Sequence, residues 1–231
     1  MAVSKTDFVR GLQCEKMLWL DAHAPELKII PPEVQAKLDA GNEFGDKAMG
    51  LFGDFIETTV YREDGRLHYA AMLQRTNELL ALGTNVICEA AFSWYGNYCA
   101  ADILKKEGTG YALYEVKNAP APRKEFITDL GFQRLILRKS GVPLLSSHLI
   151  LRDEGEEEDV YPTVRMERDG IRYKIVNVTA AAKIMERQAQ LRMFELGKLK
   201  KKDAPMPCIS VGEQCEKPYR CWYYEHCHQN T

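Results

Sequence analysis

The sequence predicts an α/β fold in which helices flank one central sheet. Apolar residues recur at helical spacing in 124–139 and 179–200, whereas 85–117 contains three successive runs rich in apolar, β-branched and aromatic residues. A further short apolar run, 144–151, is typical of a buried strand. This order of helices, three strands, a helix and a strand predicts a mixed sheet within a single domain spanning residues 1–231.

The first helix is predicted to begin at the N-terminus, where Ser4 is followed three residues later by Asp7. Phe8 belongs to its buried stripe, and Cys14 is predicted to lie inside the same helix. Pro32 then begins a second helix. The elements predicted after these, in chain order, are a strand at 54–61, a helix at 67–82, strands at 85–95, 98–104 and 111–117, a helix at 124–139, a strand at 144–151, an acidic loop at 153–159, strands at 161–164 and 171–176, and a helix at 179–200.

The composition is that of a soluble globular protein. Of 231 residues, 45% are hydrophobic and 28% are charged, and the net charge of −2 argues against a protein that coats nucleic acid through bulk charge. No run approaches the roughly 18 apolar residues that cross a bilayer, and the first residues show no apolar signal segment. We therefore expect a cytoplasmic protein that does not enter a membrane.

The seven cysteines predict a metal centre rather than disulfides, because their number is odd and no export signal is visible. Four of them, separated by six, five and five residues, fall near the C-terminus: Cys208, Cys215, Cys221 and Cys227. Zinc sites usually pair ligands about two to four residues apart, so this wider spacing leaves zinc and a 4Fe-4S cluster both open. His226 and His228 are the additional candidates for zinc, whereas Cys88 and Cys99 lie on apolar strands and are expected in the core.

The stretch 98–117 is predicted to form a β-hairpin whose charged side chains meet on one face. Side chains alternate along a strand, so Glu115 and Lys117 point one way and Val116 the other, and the hairpin register can bring Asp102 to the face of Glu115. Two carboxylates and an ammonium on an apolar sheet are costly unless they bind something, and a divalent ion is the ligand that carboxylates favour. The alternative is that Asp102 is a surface residue near the turn and that this strand face is solvated.

The residues of this hairpin carry a resemblance to a known family. Asp102 followed after twelve residues by Glu115-x-Lys117 resembles the signature of the PD-(D/E)XK nuclease superfamily. Cys14 ahead of the hairpin and the three last cysteines behind it resemble the RecB-like iron–sulfur branch of that superfamily, which includes the Cas-four-like exonucleases. The resemblance extends over nearly the whole chain.

This resemblance implies a restriction-endonuclease-like core, with the order α-β-β-β-α-β, whose catalytic part covers about 85–152. The segments 1–30 and 201–231 would join at a structural 4Fe-4S cluster and tie the two ends of the chain together. The cysteines implied as cluster ligands are Cys14, Cys215, Cys221 and Cys227. Cys208 would then be surplus, as a free thiol; the alternative is that it replaces one of the other three C-terminal cysteines.

The resemblance also implies the roles of the site residues. Asp102 and Glu115 would bind Mg²⁺ or Mn²⁺ directly, helped by the backbone carbonyl of Val116. Lys117 would orient the attacking water or offset phosphate charge. Gln133 would contact the scissile strand or that water.

Two further metal ligands are implied, and the chain departs from the family at two positions. Glu89 on the preceding strand and Asp46 on the second helix would be the additional ligands. Asp46, or Glu43 beside it, stands in the region where many relatives have a metal-binding histidine. Leu137 occupies the place of the tyrosine in the Gln-x-x-x-Tyr motif that begins at Gln133, which removes a ring that would stack on a base.

The activity implied is that of a metal-dependent DNA nuclease, a single-strand exonuclease whose partners would be DNA and proteins of CRISPR adaptation or recombination, in a chain that could form a homo-oligomer. Two alternatives stay open. The fold could serve as a DNA-binding module with little turnover, or the cysteines could hold zinc in an adaptor protein.

Overall fold

The computed structural model describes residues 2–155 and 159–229 and confirms an α/β fold with a seven-stranded mixed sheet flanked by helices. Residues 156–158 of the acidic loop predicted at 153–159 lie outside the described residues. The helices are α1 (Lys5–Gln13), α2 (Glu15–His23), α3 (Pro32–Met49), α4 (Tyr69–Ala81), α5 (Lys124–Lys139), α6 (Thr179–Leu199) and α7 (Tyr224–Gln229). The strands are β1 (Ile56–Glu57), β2 (Val86–Trp94), β3 (Asn97–Glu107), β4 (Gly110–Lys117), β5 (Leu144–Arg152), β6 (Thr163–Arg168) and β7 (Ile171–Asn177).

The strand order across the sheet is β1-β2-β3-β4-β5-β7-β6. The β2–β3–β4 meander is antiparallel, β4 and β5 run parallel, and α5 connects them. A parallel pair requires such a crossover connection, which explains why a helix separates these two strands in the sequence. The central part of the chain therefore follows the order α4-β2-β3-β4-α5-β5.

The sheet separates two apolar clusters, and alternation along β4 shows how. Tyr111 and Leu113 belong to the larger cluster, which also contains the buried residues of α5 and α6. Tyr114 and Val116 belong to the second cluster, on the face covered by Phe44 of α3. Because side chains alternate along a strand, the odd-numbered side chains of β4 face α5 and the even-numbered ones face α3.

The first helix is shorter than predicted, because the chain breaks at Cys14. This residue is extended (φ −157°, ψ 115°), so it ends α1 and begins α2 instead of lying inside one helix. Gly11 explains the fold-back of α2, since a Cβ at Gly11 would lie only 2.8 Å from Leu18 Cδ2. Cys14 is thereby placed at a corner of the chain.

Three other elements differ from the prediction. The strand predicted at 54–61 is reduced to the two exposed residues of β1, which pair with β2 at the edge of the sheet. The hairpin turn is tighter than predicted, because β3 continues to Glu107 and only two residues separate it from β4. In the C-terminal segment, whose sequence shows little helical periodicity, α7 forms one short helix.

The two ends of the chain are in contact. Gln13 Nε2 donates to the carbonyl oxygens of Gln214 (2.8 Å) and Tyr219 (2.7 Å), and Trp19 Nε1 donates to that of Ala204 (2.8 Å). The hydroxyl of Tyr223 donates to Asp21 on α2 at 2.8 Å. The C-terminal segment is therefore fixed to α1 and α2 by hydrogen bonds of the protein itself.

Within the described residues, no helix is long and apolar enough to cross a membrane.

Candidate functional site

The alternation of side chains is interrupted at Glu89 on β2 and at Asp102 on the paired strand β3. Ile87 and Ala90 belong to the same apolar cluster although they are three residues apart, and so do Ala101 and Leu104. Regular alternation would place such residues on opposite faces, so one residue is skipped on each strand. Glu89 carries the distortion, because its φ of 53° lies in the left-handed region, and Thr58 Oγ1 donates to its carbonyl oxygen at 2.5 Å. Left-handed residues other than glycine are uncommon and are enriched at functional sites.

Asp102 and Glu115 face each other across the β3–β4 hairpin. Each is adjacent in sequence to a member of the last ladder pair, Ile103 with Tyr114, and their shared contact with Lys5 shows that both carboxylates reach the same face. Both carboxylates contact the ammonium of Lys5 on α1: Nζ lies 3.3 Å from Asp102 Oδ1 and 3.2 Å from each Glu115 oxygen. The second oxygen of Asp102 accepts a hydrogen bond from the Val116 N–H at 2.8 Å.

Helix α5 completes the cluster from above the sheet. Asp129 and Gln133 are four residues apart, so they lie on one face of the helix. Lys117 Nζ contacts Glu115 Oε1 at 2.6 Å and Asp129 Oδ2 at 3.1 Å. Gln133 Nε2 donates to Glu115 Oε2 at 2.6 Å and to Asp129 Oδ1 at 3.3 Å. Glu115, 1% exposed, is therefore surrounded by three nitrogen donors.

Burial and neighbouring charges shift the pKa values of these carboxyl groups in different directions. Burial alone would raise the pKa of Glu115, but Lys117 and Lys5 hold it well below its ordinary value. Burial and the charge of Asp102 raise the pKa of Glu89 to about 7, and burial with the charge of Glu115 raises that of Asp129 to about 6. Carboxylates at a single site with such different proton affinities are characteristic of functional centres.

Gln133 carries an unused hydrogen-bonding group at the centre of this cluster. Its side chain is fully buried, and its Oε1 accepts no hydrogen bond from any group in the described part of the chain. Nearly all buried polar atoms have a partner, so an orphaned amide oxygen beside ionised groups indicates a position for a water or a ligand.

The remaining predicted positions lie apart from this cluster or take another role in it. Val116 contributes its N–H to Asp102, and its carbonyl remains a predicted ligand only.

Asp46 is exposed on α3, which covers the opposite sheet face, and no hydrogen bond or ion pair within residues 2–155 and 159–229 connects it to Glu115. Glu43, the other candidate on this helix, pairs with Lys47 at 2.6 Å. Leu137 is fully buried in the larger core cluster, which excludes it from stacking on a base.

Lys5 and Asp129 are site residues that the sequence interpretation missed. The sequence could have indicated Asp129, because it lies one helical turn before Gln133 and therefore on the same helix face. No local sequence pattern indicates Lys5, because its partners Asp102 and Glu115 are 97 and 110 residues away in the sequence.

Four cysteine side chains line a second candidate site, a pocket between α2 and the C-terminal segment. Its thiols come from Cys14, Cys215, Cys221 and Cys227, and Met17 and Tyr223 also line it. Burial raises the pKa of the Cys221 thiol to about 11 and also raises that of Cys227. The same four cysteines that the family resemblance implies as a ligand set thus share one pocket.

The other cysteines and the two histidines fall outside the lining of this pocket as the structure describes it. Cys208 is exposed, and Cys88 and Cys99 are buried core residues, as predicted. His228 stacks on the ring of Tyr224 with a centroid distance of 3.8 Å. None of the seven cysteines forms a disulfide within residues 2–229 as described.

Comparison with known proteins assigns no family. No family model matches this chain, and no curated protein matches it.

The donor chemistry of both sites fits a metal. Carboxylate oxygens suit Mg²⁺ or Mn²⁺, and four thiolates are the usual ligands of a 4Fe-4S cluster. Across the described residues, no group of three or more His, Cys, Asp or Glu side chains is placed so as to hold an ion. At the carboxylate site, the ammonium groups of Lys5 and Lys117 contact the oxygens of Asp102 and Glu115.

Proposed function

We propose that this protein is a divalent-metal-dependent phosphodiesterase that cleaves nucleic acid, with single-stranded DNA as the first substrate to test, and that its fold is the restriction-endonuclease-like variant of the α/β class. The observation that carries the proposal is the convergence of Asp102, Glu115, Lys117 and Gln133 on one sheet face. The order α4-β2-β3-β4-α5-β5 supports the fold assignment.

The chemistry of phosphodiester hydrolysis fits this residue set. The reaction requires an activated water and stabilisation of the negative charge that develops on the phosphate, and a bound Mg²⁺ or Mn²⁺ supplies both when present. Asp102 and Glu115 would hold the ion, with Glu89 beside them and the Val116 carbonyl as a further donor. Lys117 would then offset phosphate charge, in a position fixed by Asp129.

Gln133 is placed so that it could bind the attacking water. Its Nε2 is committed to Glu115 and Asp129, so only its Oε1 remains to accept a hydrogen bond from the attacking water or from the substrate. Because the side chain is fully buried and doubly bonded, this acceptor is held in one orientation before substrate arrives.

An exposed aromatic residue beside the cluster supports a nucleic acid as the substrate. Tyr219 is 44% exposed. Burial raises the pKa of its hydroxyl and the charge of Lys117 opposes that rise, so the hydroxyl is within electrostatic range of the cluster. Exposed aromatic rings stack on unpaired bases, and Arg123 and Lys124, both exposed at the start of α5, would meet the backbone phosphates.

The four thiols would hold a 4Fe-4S cluster with a structural role. Cys14 precedes the sheet and the other three cysteines follow it, so one cluster would connect segments that are about two hundred residues apart. Burial raises the pKa values of the Cys221 and Cys227 thiols, which means that these two thiols stay neutral until a cation binds.

The test is cleavage of end-labelled single-stranded and duplex DNA, with Mg²⁺ or Mn²⁺ and with EDTA. We expect metal-dependent cleavage that is lost in Asp102→Asn and Lys117→Met. Asp46→Asn is the matched control, since it removes a carboxylate from the opposite sheet face and should leave the rate unchanged. Cleavage that persists in both site variants would refute this assignment.

A second candidate is a nucleic-acid-binding module of the same fold that turns over little or no substrate. The observation that favours it is the ammonium of Lys5, which contacts both Asp102 and Glu115. Tight DNA binding without metal-dependent cleavage would identify this function.

A further inference from the structure

Lys5 belongs to the most firmly anchored part of the N-terminal segment. Ser4 caps α1 in a reciprocal capping box with Asp7, and it bridges to Tyr98 on β3. The neighbouring Val3 N–H donates to Asn97 Oδ1 at 2.9 Å, and the ring of Phe8 is buried in the core. The backbone of Lys5 is therefore fixed relative to the strand that carries Asp102.

The ammonium of Lys5 occupies a position that a metal ion would need. It lies within 3.3 Å of one Asp102 oxygen and within 3.2 Å of both Glu115 oxygens, so the two carboxylates converge on a single cationic point. A divalent ion held by the same oxygens would stand at this point, and two cations cannot share it. Lys117 differs, since it contacts only one Glu115 oxygen and is also held by Asp129.

We propose that Lys5 is a built-in competitor of the divalent ion: its ammonium holds Asp102 and Glu115 together in the metal-free protein and leaves them when the ion binds. This inference rests on the metal site of the proposed function. The Lys5 side chain is 24% exposed, so its long flexible stem can turn toward solvent while α1 stays in place.

Removal of the competing ammonium is expected to tighten ion binding. An ammonium that contacts two partly buried carboxylates is expected to weaken the apparent affinity for the ion by about tenfold or more. In the absence of the ion, the same substitution should lower the stability of the protein, because without Lys5 the two carboxylates repel each other.

The test is titration of the full chain with Mn²⁺, followed by calorimetry, for the wild type, Lys5→Met and Lys200→Met. Lys200 is the matched control, because it is also 24% exposed and pairs with Asp7 of α1 at 2.6 Å without contacting Asp102 or Glu115. We expect Lys5→Met to bind Mn²⁺ at least about tenfold more tightly than the wild type, and Lys200→Met to differ less than about twofold.

Thermal unfolding gives a second readout. The unfolding temperature of Lys5→Met should fall below that of the wild type in EDTA, and added Mn²⁺ should raise it by more than it raises that of the wild type. If Lys5→Met does not fold, Lys5→Gln replaces it with a shorter, neutral and polar side chain.

The outcomes separate this inference from the proposed function. Wild-type binding of Mn²⁺ that is lost in Asp102→Asn, together with unchanged or weaker binding in the Lys5 variants, overturns the competitor role and leaves the metal site intact. Absence of binding to this site in the wild type and in every Lys5 variant overturns both.

Discussion

The closest approach of α5 and α6 allows a sharp test of the packing that supports the site. A Cβ on Gly131 would lie 2.4 Å from Met185 Cβ and 2.8 Å from the backbone nitrogen of Glu186. Carbon atoms in contact prefer separations of about 3.5–4.0 Å, so the Gly131→Ala variant must push the two helices apart by about an ångström. The obstacle includes backbone atoms, which cannot turn aside as a flexible side chain can.

The expected magnitude follows from two opposing terms. Replacement of glycine by alanine within a helix raises the unfolding free energy by about 1 kcal/mol. Overpacking of a well-filled interface lowers it by about 1–3 kcal/mol, and by more when the backbone must move. We expect the Gly131→Ala variant to lose about 2 kcal/mol of unfolding free energy, which lowers the unfolding temperature by about 4–8 °C.

The assay is urea unfolding followed by circular dichroism, with Gly45→Ala as the matched control. Gly45 also lies inside a helix, but nothing stands within 4 Å of the Cβ it would gain. The control should therefore be more stable than the wild type by up to about 1 kcal/mol. Equal stabilities for the Gly131→Ala and Gly45→Ala variants would refute the close helix crossing. Because Gly131 lies between Asp129 and Gln133, the first variant should also perturb the carboxylate cluster.

Three further predictions address the two candidate sites. The pKa of Glu89 is raised from 4.5 to about 7, so the folded protein keeps a proton that the unfolded chain releases, and stability falls as pH rises from 4.5 through about 7. The unfolding free energy of Glu89→Gln, relative to that of the wild type, should therefore rise by up to about 3 kcal/mol between pH 4.5 and pH 8, as measured by urea unfolding. A difference in unfolding free energy that stays constant over this range contradicts the raised pKa of Glu89. Cys221→Ser should lose bound iron and acid-labile sulfide after anaerobic purification while Cys208→Ser retains both, and zinc without sulfide in the wild type would instead identify the zinc alternative. Tyr219→Ala should weaken single-stranded DNA binding by about five- to a hundredfold in fluorescence anisotropy, whereas Tyr95→Ala in the β2–β3 turn should not; equal effects would exclude stacking at Tyr219.

The sequence predicted the parts of this molecule that depend on local periodicity. Alternation along β4 placed Glu115 and Lys117 on one face and Val116 on the other, and the helix at 124–139 has the predicted bounds. Each of these features is determined by residues within one or two elements, so one sequence is sufficient to predict it.

The parts that escaped prediction depend on tertiary contacts. Lys5 reaches the cluster only because α1 packs beside β3, and the strain at Glu89 is matched by a hydrogen bond from Thr58, 31 residues away. The break at Cys14 has no local helix breaker at that position, and it becomes clear only from the contact between Gly11 and Leu18. Local propensity does not contain such information.

The short helix α1 connects the two candidate sites. It begins at Lys5 in the carboxylate cluster, its nine residues form a rigid rod about 13 Å long, and Cys14 of the thiol pocket follows it directly. Because the first turn of α1 is held to β3, the rod sets a constant distance between the two clusters. A substitution that unwinds α1 should therefore disturb the carboxylates and the thiols together.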